Sequence, residues 1–155
     1  MSEASAEAQA VQFSATQKIL HRAVVALIAL QYLVFDHMGR PFHALMDGEP
    51  GAYTTTSIAH IVIGSGVLIA MLWRLSLRVM RGSPSHPEQE PGWAGSLAHL
   101  THWIFYGLLV LLPVMGLLAW FGTLGEAAEL HEIGTTILIG VMVVLLVSVS
   151  VHQLV

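Results

Sequence analysis

The sequence predicts an all-α integral membrane protein, an antiparallel four-helix bundle, and three observations predict it. The chain of 155 residues is 55% hydrophobic and only 10% charged, with a mean hydropathy of +0.70, which is too apolar for a soluble domain of this length. Four apolar stretches each approach the ~20 residues needed to cross ~30 Å of hydrocarbon. The connections between them are short and rich in Pro, Gly and polar residues. Spans joined in this way pack most simply up and down against one another.

Residues 1–16 precede the helical domain, which occupies residues 17–155. The opening MSEASAEAQAVQFS is small, polar and acidic with no basic n-region, so it reads as a disordered cytoplasmic tail rather than a signal peptide. The first span, 17–35, carries Lys18, His21 and Arg22 at its start, so its charge-free part begins only after Arg22. A loop containing GRPFHALMDGEPGAYTTT leads to the second span, 58–77, and RGSPSHPEQEPGWAG leads to the third, 97–121. Within the third, Pro113 and Gly116 read as a bend and a close packing point. The acidic turn FGTLGEAAEL leads to the fourth span, 131–155, and no internal repeat is visible.

The cations orient this arrangement. Lys18 and Arg22 begin the first span, and Arg74, Arg78 and Arg81 flank the end of the second, whereas Arg40 is the only basic residue in the first and third loops. The positive-inside rule then puts both termini in the cytoplasm. The small net charge of −4 argues against nucleic acid, because phosphate binding needs clustered cations. The absence of cysteine excludes disulfides, thiolate metal sites, iron–sulfur clusters and covalent c-type haem attachment.

Nine histidines against six Lys plus Arg is the unusual ratio. On this topology His60 and His131 begin the second and fourth spans at the outer surface. His21, His99, His102 and His152 gather at the inner surface, and His37, His43 and His86 fall in loops as solvated residues. Each membrane histidine taken singly reads as an interfacial side chain with a polar tip and an apolar body. The outer pair taken together reads differently, because two imidazoles converging from facing helices are what a six-coordinate haem iron requires. Gly64 follows His60 by four residues and Gly134 follows His131 by three, so each histidine has a glycine on its own helical face. Such glycines leave space for a porphyrin plane and equally serve close helix packing. At the inner surface His99 and His102 share a face with Trp103 and Tyr106 near by, which reads either as a quinone pocket or as an interfacial aromatic belt.

AHIVIGSGVLIAMLWRLSLRVM, SLAHLTHWIFYGLLVLLPVMGLLAWFG and LHEIGTTILIG resemble helices two, three and the start of four in the bacterial cytochrome b561 family of four-helix haem b membrane proteins. The resemblance extends back to ILHRAVVALIALQY and covers most of residues 17–152. The His-x-x-His of the third span, followed by an aromatic, a Pro and a Gly, and the Arg-x-x-x-Arg ending the second carry it. It implies a protein that moves electrons between a quinone and another redox partner, one type of which oxidises superoxide at the outer face. It implies His60 and His131 as the outer haem ligands and His21 as an inner ligand. The matching position on the fourth span, fourteen residues after His131, is Leu145, which cannot ligate iron. A second haem is therefore expected to be absent or atypical, with His21 and His152 as its leading ligand pair and Met142 as a further candidate.

The resulting expectation is a membrane b-type cytochrome of the bacterial inner membrane, with membrane lipid and quinone as partners. It would pass electrons between its outer face and the quinone pool, and any enzymatic activity would be a quinone-linked oxidoreduction, with superoxide as one candidate substrate. The electron donor is not named by the sequence. An anionic donor such as superoxide would want positive potential, yet Arg40 stands there among Asp36, Asp47 and Glu49. A different class of reading is a haem-free transporter or assembly subunit handling metal ions or protons. Polar residues through the middle of the spans would favour it, and here the middles are almost purely apolar. A third is a haem-anchoring subunit of a larger oxidoreductase; the short loops permit a homo-oligomer or such a complex.

Overall fold

The computed structural model of the chain describes residues 14–81 and 92–154, with side chains at 14–80, 100–101 and 103–145. Most of the expected tail, and His86, lie outside the described residues. Five helices form: α1 (Ala15–Leu33), α2 (Gly39–Met46), α3 (Thr55–Arg81), α4 (Gly92–Gly122) and α5 (Gly125–Leu154). No strand occurs among the described residues.

Local chemistry sets the helix starts. Ser14 and Gln17 make a reciprocal capping box at α1, the Ser14 hydroxyl accepting from the Gln17 N–H (3.2 Å) and the Gln17 amide oxygen from the Ser14 N–H (2.8 Å). At α3 the same logic uses Thr54 and Ser57. The Thr54 hydroxyl accepts from the Ser57 N–H (3.1 Å), and the Ser57 hydroxyl accepts from the Thr54 N–H (2.8 Å) while donating to the Ala52 carbonyl (2.7 Å). Ser57 is fully buried, so this knot fixes the entry of α3. In α2, an element the sequence pattern reads as loop, Pro41 occupies the first turn, where a missing N–H costs no helical bond.

Among the described residues three helices are long and apolar enough to cross a membrane: Thr55–Met80, Trp103–Gly122 and Gly125–Leu145. The helix expected over 17–35 forms as α1 but is not among them, because Gln17, Lys18, His21, Arg22 and Gln31 dilute its apolar residues. Large apolar side chains face outward along the spans, Val62, Ile69, Leu111, Ile137 and Val144 among them, which suits lipid rather than water.

The helices pack α1 on α3, α3 on α4 and α4 on α5. Successive long helices run antiparallel, since the end of α1 meets the start of α3 at Phe35 and His60, and the end of α3 meets the first half of α4 at Arg74 and Tyr106. The Tyr32 hydroxyl donates to the Thr135 carbonyl (3.0 Å) and ties α1 to α5. Between them lies a core of Val24, Val67, Met71, Tyr106, Leu109, Leu112 and Leu138. Only Thr123 and Leu124 separate α4 from α5, and Thr123 makes the reversal in the left-handed region at φ 50.

Candidate functional site

His60 follows the buried Ser57 by three residues, so its position is set by the capped first turn of α3. Its Nδ1 lies 2.8 Å from the Phe35 carbonyl, just past the end of α1 where helical carbonyls lack partners. A carbonyl can only accept, so Nδ1 carries a hydrogen, and Nε2 is the nitrogen whose lone pair a neutral ring would have free. His131 on α5 is held identically, with Nδ1 2.8 Å from the Leu112 carbonyl of α4. The two ring centroids are 6.1 Å apart with planes inclined by 67°. Anchoring of one ring nitrogen by a backbone carbonyl is the outer-shell contact that orients metal-ligating imidazoles.

Both rings line a cavity of ≈ 410 Å³ between α1, α3, α4 and α5, within the size range of cofactor sites. Its walls are largely aliphatic, with Ile28, Val67, Leu109, Leu112, Leu117 and Leu138 contributing, and Gln31, Tyr32, Asp36 and Glu132 add polar groups. The α2 helix covers one side through Met38, Gly39 and Phe42. Phe42 and Tyr53 both pack on Trp120, at ring separations of 6.5 and 5.6 Å.

Two glycines fit the site to the rings. A Cβ on Gly116 would stand 3.2 Å from Nδ1 and Cε1 of His131, so its absence lets the imidazole reach the Leu112 carbonyl one turn earlier on α4. A Cβ on Gly64 would stand 3.2 Å from Nε2 of Gln31, which donates to the His60 carbonyl (2.9 Å). Gly64 also lines the cavity. Gly134 does not; it is buried on α5 against the Leu112 side chain of α4.

Two imidazoles are too few for a metal centre built from side chains alone, which takes three or four ligands. No group of three or more His, Cys, Asp or Glu able to hold a metal ion occurs among the described residues. Two are what an iron already held by a macrocycle accepts. Residues 12–155 match the family model for prokaryotic cytochrome b561. The chain belongs to that family. It is also 28% identical over 142 residues, 91% of this chain and 87% of the relative, to cytochrome b562 of Cereibacter sphaeroides. No solved structure matches it.

A prokaryotic cytochrome b561 is a membrane b-type cytochrome, which implies haem b and electron transfer. The site fits that group. A metal–imidazole bond of ~2 Å puts a ring centre ~3 Å from the metal, so rings on opposite sides of one ion stand ~6 Å apart. The buried Trp120, which lines the cavity, keeps its indole N–H without a partner among the described residues, a donor of the kind a haem carboxylate accepts from.

The remaining candidates lie elsewhere. His21 is exposed on α1, a residue round from buried Leu20. Met142 packs its side chain against the core, and Leu145 is half-buried on α5. His99, His102 and His152 sit on helical backbone, with side chains outside the described residues; Trp103 packs beside Tyr106 at 6.1 Å. Gly116, Gln31 and the α2 cover are the contributors that sequence reading did not assign to the site. Gly116 had a signal: it and His131 are equally far from the turn at 123–124, so an antiparallel hairpin puts them at one depth.

Proposed function

We propose that this chain holds one haem b with His60 and His131 as its axial ligands, and passes electrons between that end of the molecule and a quinone near the other. The observation that carries the reading is the pair of carbonyl-anchored imidazoles, 6.1 Å apart on one cavity. When bound, the haem supplies the one-electron chemistry, and the protein's part is geometry and environment. Phe35 and Leu112 hold the two Nδ1 hydrogens, so both lone pairs face the site and both rings resist rotation. The aliphatic walls keep water from it, and Trp120 offers a donor to an acidic group. The long helices then form the four-helix bundle of the family, with the Lys18, Arg22, Arg74 and Arg78 end in the cytoplasm of a bacterium, by the positive-inside rule.

His99, His102 and Trp103 are the proposed quinone contacts, an imidazole there taking up or delivering the proton that accompanies each electron. At the opposite end Asp36, Asp47, Glu49, Glu126, Glu129 and Glu132 outnumber Arg40, which favours a neutral or cationic donor over superoxide. A reduced-minus-oxidised spectrum and a haem-to-protein ratio test the reading. The ratio should be one, and His60→Ala and His131→Ala should each abolish the low-spin signal; an unchanged spectrum in both variants rejects the ligands. His102→Ala should slow haem reduction by quinol with haem content intact, whereas loss of haem would make α4 the source of a ligand.

A further inference from the structure

At the end of the spans remote from His60 and His131, two guanidinium groups converge on one phenol. Arg74 and Arg78 are four residues apart on α3, hence neighbours on one face, and like charges so placed repel. Arg74 Nε donates to the Tyr106 hydroxyl (3.1 Å), and the Arg74 Cζ stands 6.0 Å from that ring's centre. The Arg78 Cζ stands 5.5 Å from the same centre. Tyr106 is buried, so the ring both charges meet is a fixed part of the core. Attraction to its face stabilises each cation but leaves most of its donors unused.

No described carboxylate is placed to neutralise them. The described acidic residues, Asp36, Asp47, Glu49, Glu126, Glu129 and Glu132, belong to the connections and first turns at the imidazole end, where Asp36 and Glu132 line the cavity. Arg74 Nη1 is buried with no hydrogen-bond partner among the described residues. A guanidinium does not give up its proton, and no described group answers this charge, which an anion from outside the chain would. Surroundings narrow which anion. Trp73, Val79 and Met80 on the same stretch of α3 are exposed, and this stretch ends a helix long and apolar enough to cross a membrane. A group arriving there comes with acyl chains beside it.

We propose that Arg74, Arg78 and Tyr106 bind the phosphate of an anionic phospholipid, with its chains against the apolar flank of α3. The planar forks of the two arginines match phosphate oxygens, and basic pockets between transmembrane helices are the usual seats of such head groups. The bound lipid would pin the ends of α3 and α4 together opposite the haem cavity.

The test is thermal unfolding of the haem-loaded full chain after delipidation, in detergent with added phosphatidylglycerol, phosphatidylcholine or inorganic phosphate. Phosphatidylglycerol should raise Tm by about 2–4 °C over phosphatidylcholine, the shift expected of one modest ligand on a chain of this size. Arg74→Gln/Arg78→Gln should lose that difference, and Lys18→Gln/Arg22→Gln should keep it. Arg78→Gln alone, which spares the bond from Arg74 to Tyr106, should lower the phosphatidylglycerol retained through purification, read by native mass spectrometry. A shift that survives the double arginine variant, or one lost equally in the α1 pair, overturns the site. A shift reproduced by inorganic phosphate overturns the lipid in favour of a soluble anion.

Discussion

The same helices that open into a cavity at one end close around a tyrosine at the other. His60 and Arg74 are fourteen residues apart on α3, as are His131 and Leu145 on α5, which is ~21 Å along each axis with nearly the same face presented. At the first depth both helices offer a nitrogen lone pair, anchored from behind by a carbonyl. At the second they offer a guanidinium, which has none to give, and an aliphatic side chain. Charge divides the same way, with the described carboxylates at the imidazole end and all the described cations except Arg40 at the other. An antiparallel bundle therefore need not repeat its site along its length; the depth of a site is defined by what holds the ring from behind as much as by the histidine.

That claim is open to attack at Gly116, where the largest effect on the proposed haem site is expected, short of removing His60 or His131. Replacing a helical Gly by Ala ordinarily stabilises by ~1 kcal/mol. Here the new Cβ would stand 3.2 Å from two atoms of a ring that its bond to Leu112 prevents from moving aside. Gly116→Val adds two further methyls on the wall of the cavity, and should cost most of the haem while the apoprotein still accumulates. Met142→Leu, at the other end, should leave the spectrum unaltered, because Met142 serves as core packing. Full haem loading in Gly116→Val, or a lost signal in Met142→Leu, would remove the contrast between the two ends.

Gly134 sharpens the distinction between a glycine that makes room for a ring and one that makes room for a helix. Its Cβ would collide with the Leu112 side chain, which is buried in the core. Gly134→Ala should lower stability by ~1–3 kcal/mol, the usual cost of overpacking, with the spectrum of the remaining folded protein unchanged. Unfolding followed by circular dichroism beside the haem absorbance separates the two readouts; a shifted haem signal at wild-type stability would place Gly134 at the cofactor instead.

Much of this was legible before the structure. Apolar run lengths located α3, α4 and α5, and the shared depth of His60 and His131 paired them, because both signals depend only on rise per residue. The starts were less legible: α5 begins at Gly125, six residues before the expected 131, because Gly125 to Leu130 is helical yet too acidic for a hydropathy reading to include. The α2 helix was missed because its eight residues, with Gly and Pro in the first turn, resemble a turn in composition. The Leu112 and Phe35 carbonyls carry no sequence signal at all, since every residue has one; only the helix crossing shows which are used.

The smallest expected effect concerns the turn that sets the depth of His131. Thr123 adopts φ 50, a conformation in which a β-branched side chain crowds its own backbone at a cost of ~1–2 kcal/mol. Its hydroxyl bonds the adjacent Gly122 carbonyl (2.7 Å), an exposed contact that offsets little of this. Thr123→Gly removes the crowding but frees the unfolded chain, which takes back ~0.4–1 kcal/mol. The net should be a gain below ~1 kcal/mol, or an upward Tm shift of ~1–3 °C. Because the turn residue touches neither ring, the spectrum should stay that of the parent. A fall in Tm would show that the hydroxyl bond outweighs the strain. A changed spectrum at raised Tm would show that the strained turn holds His131 at its depth, and that the imidazole end depends on its connection as well as on its cavity.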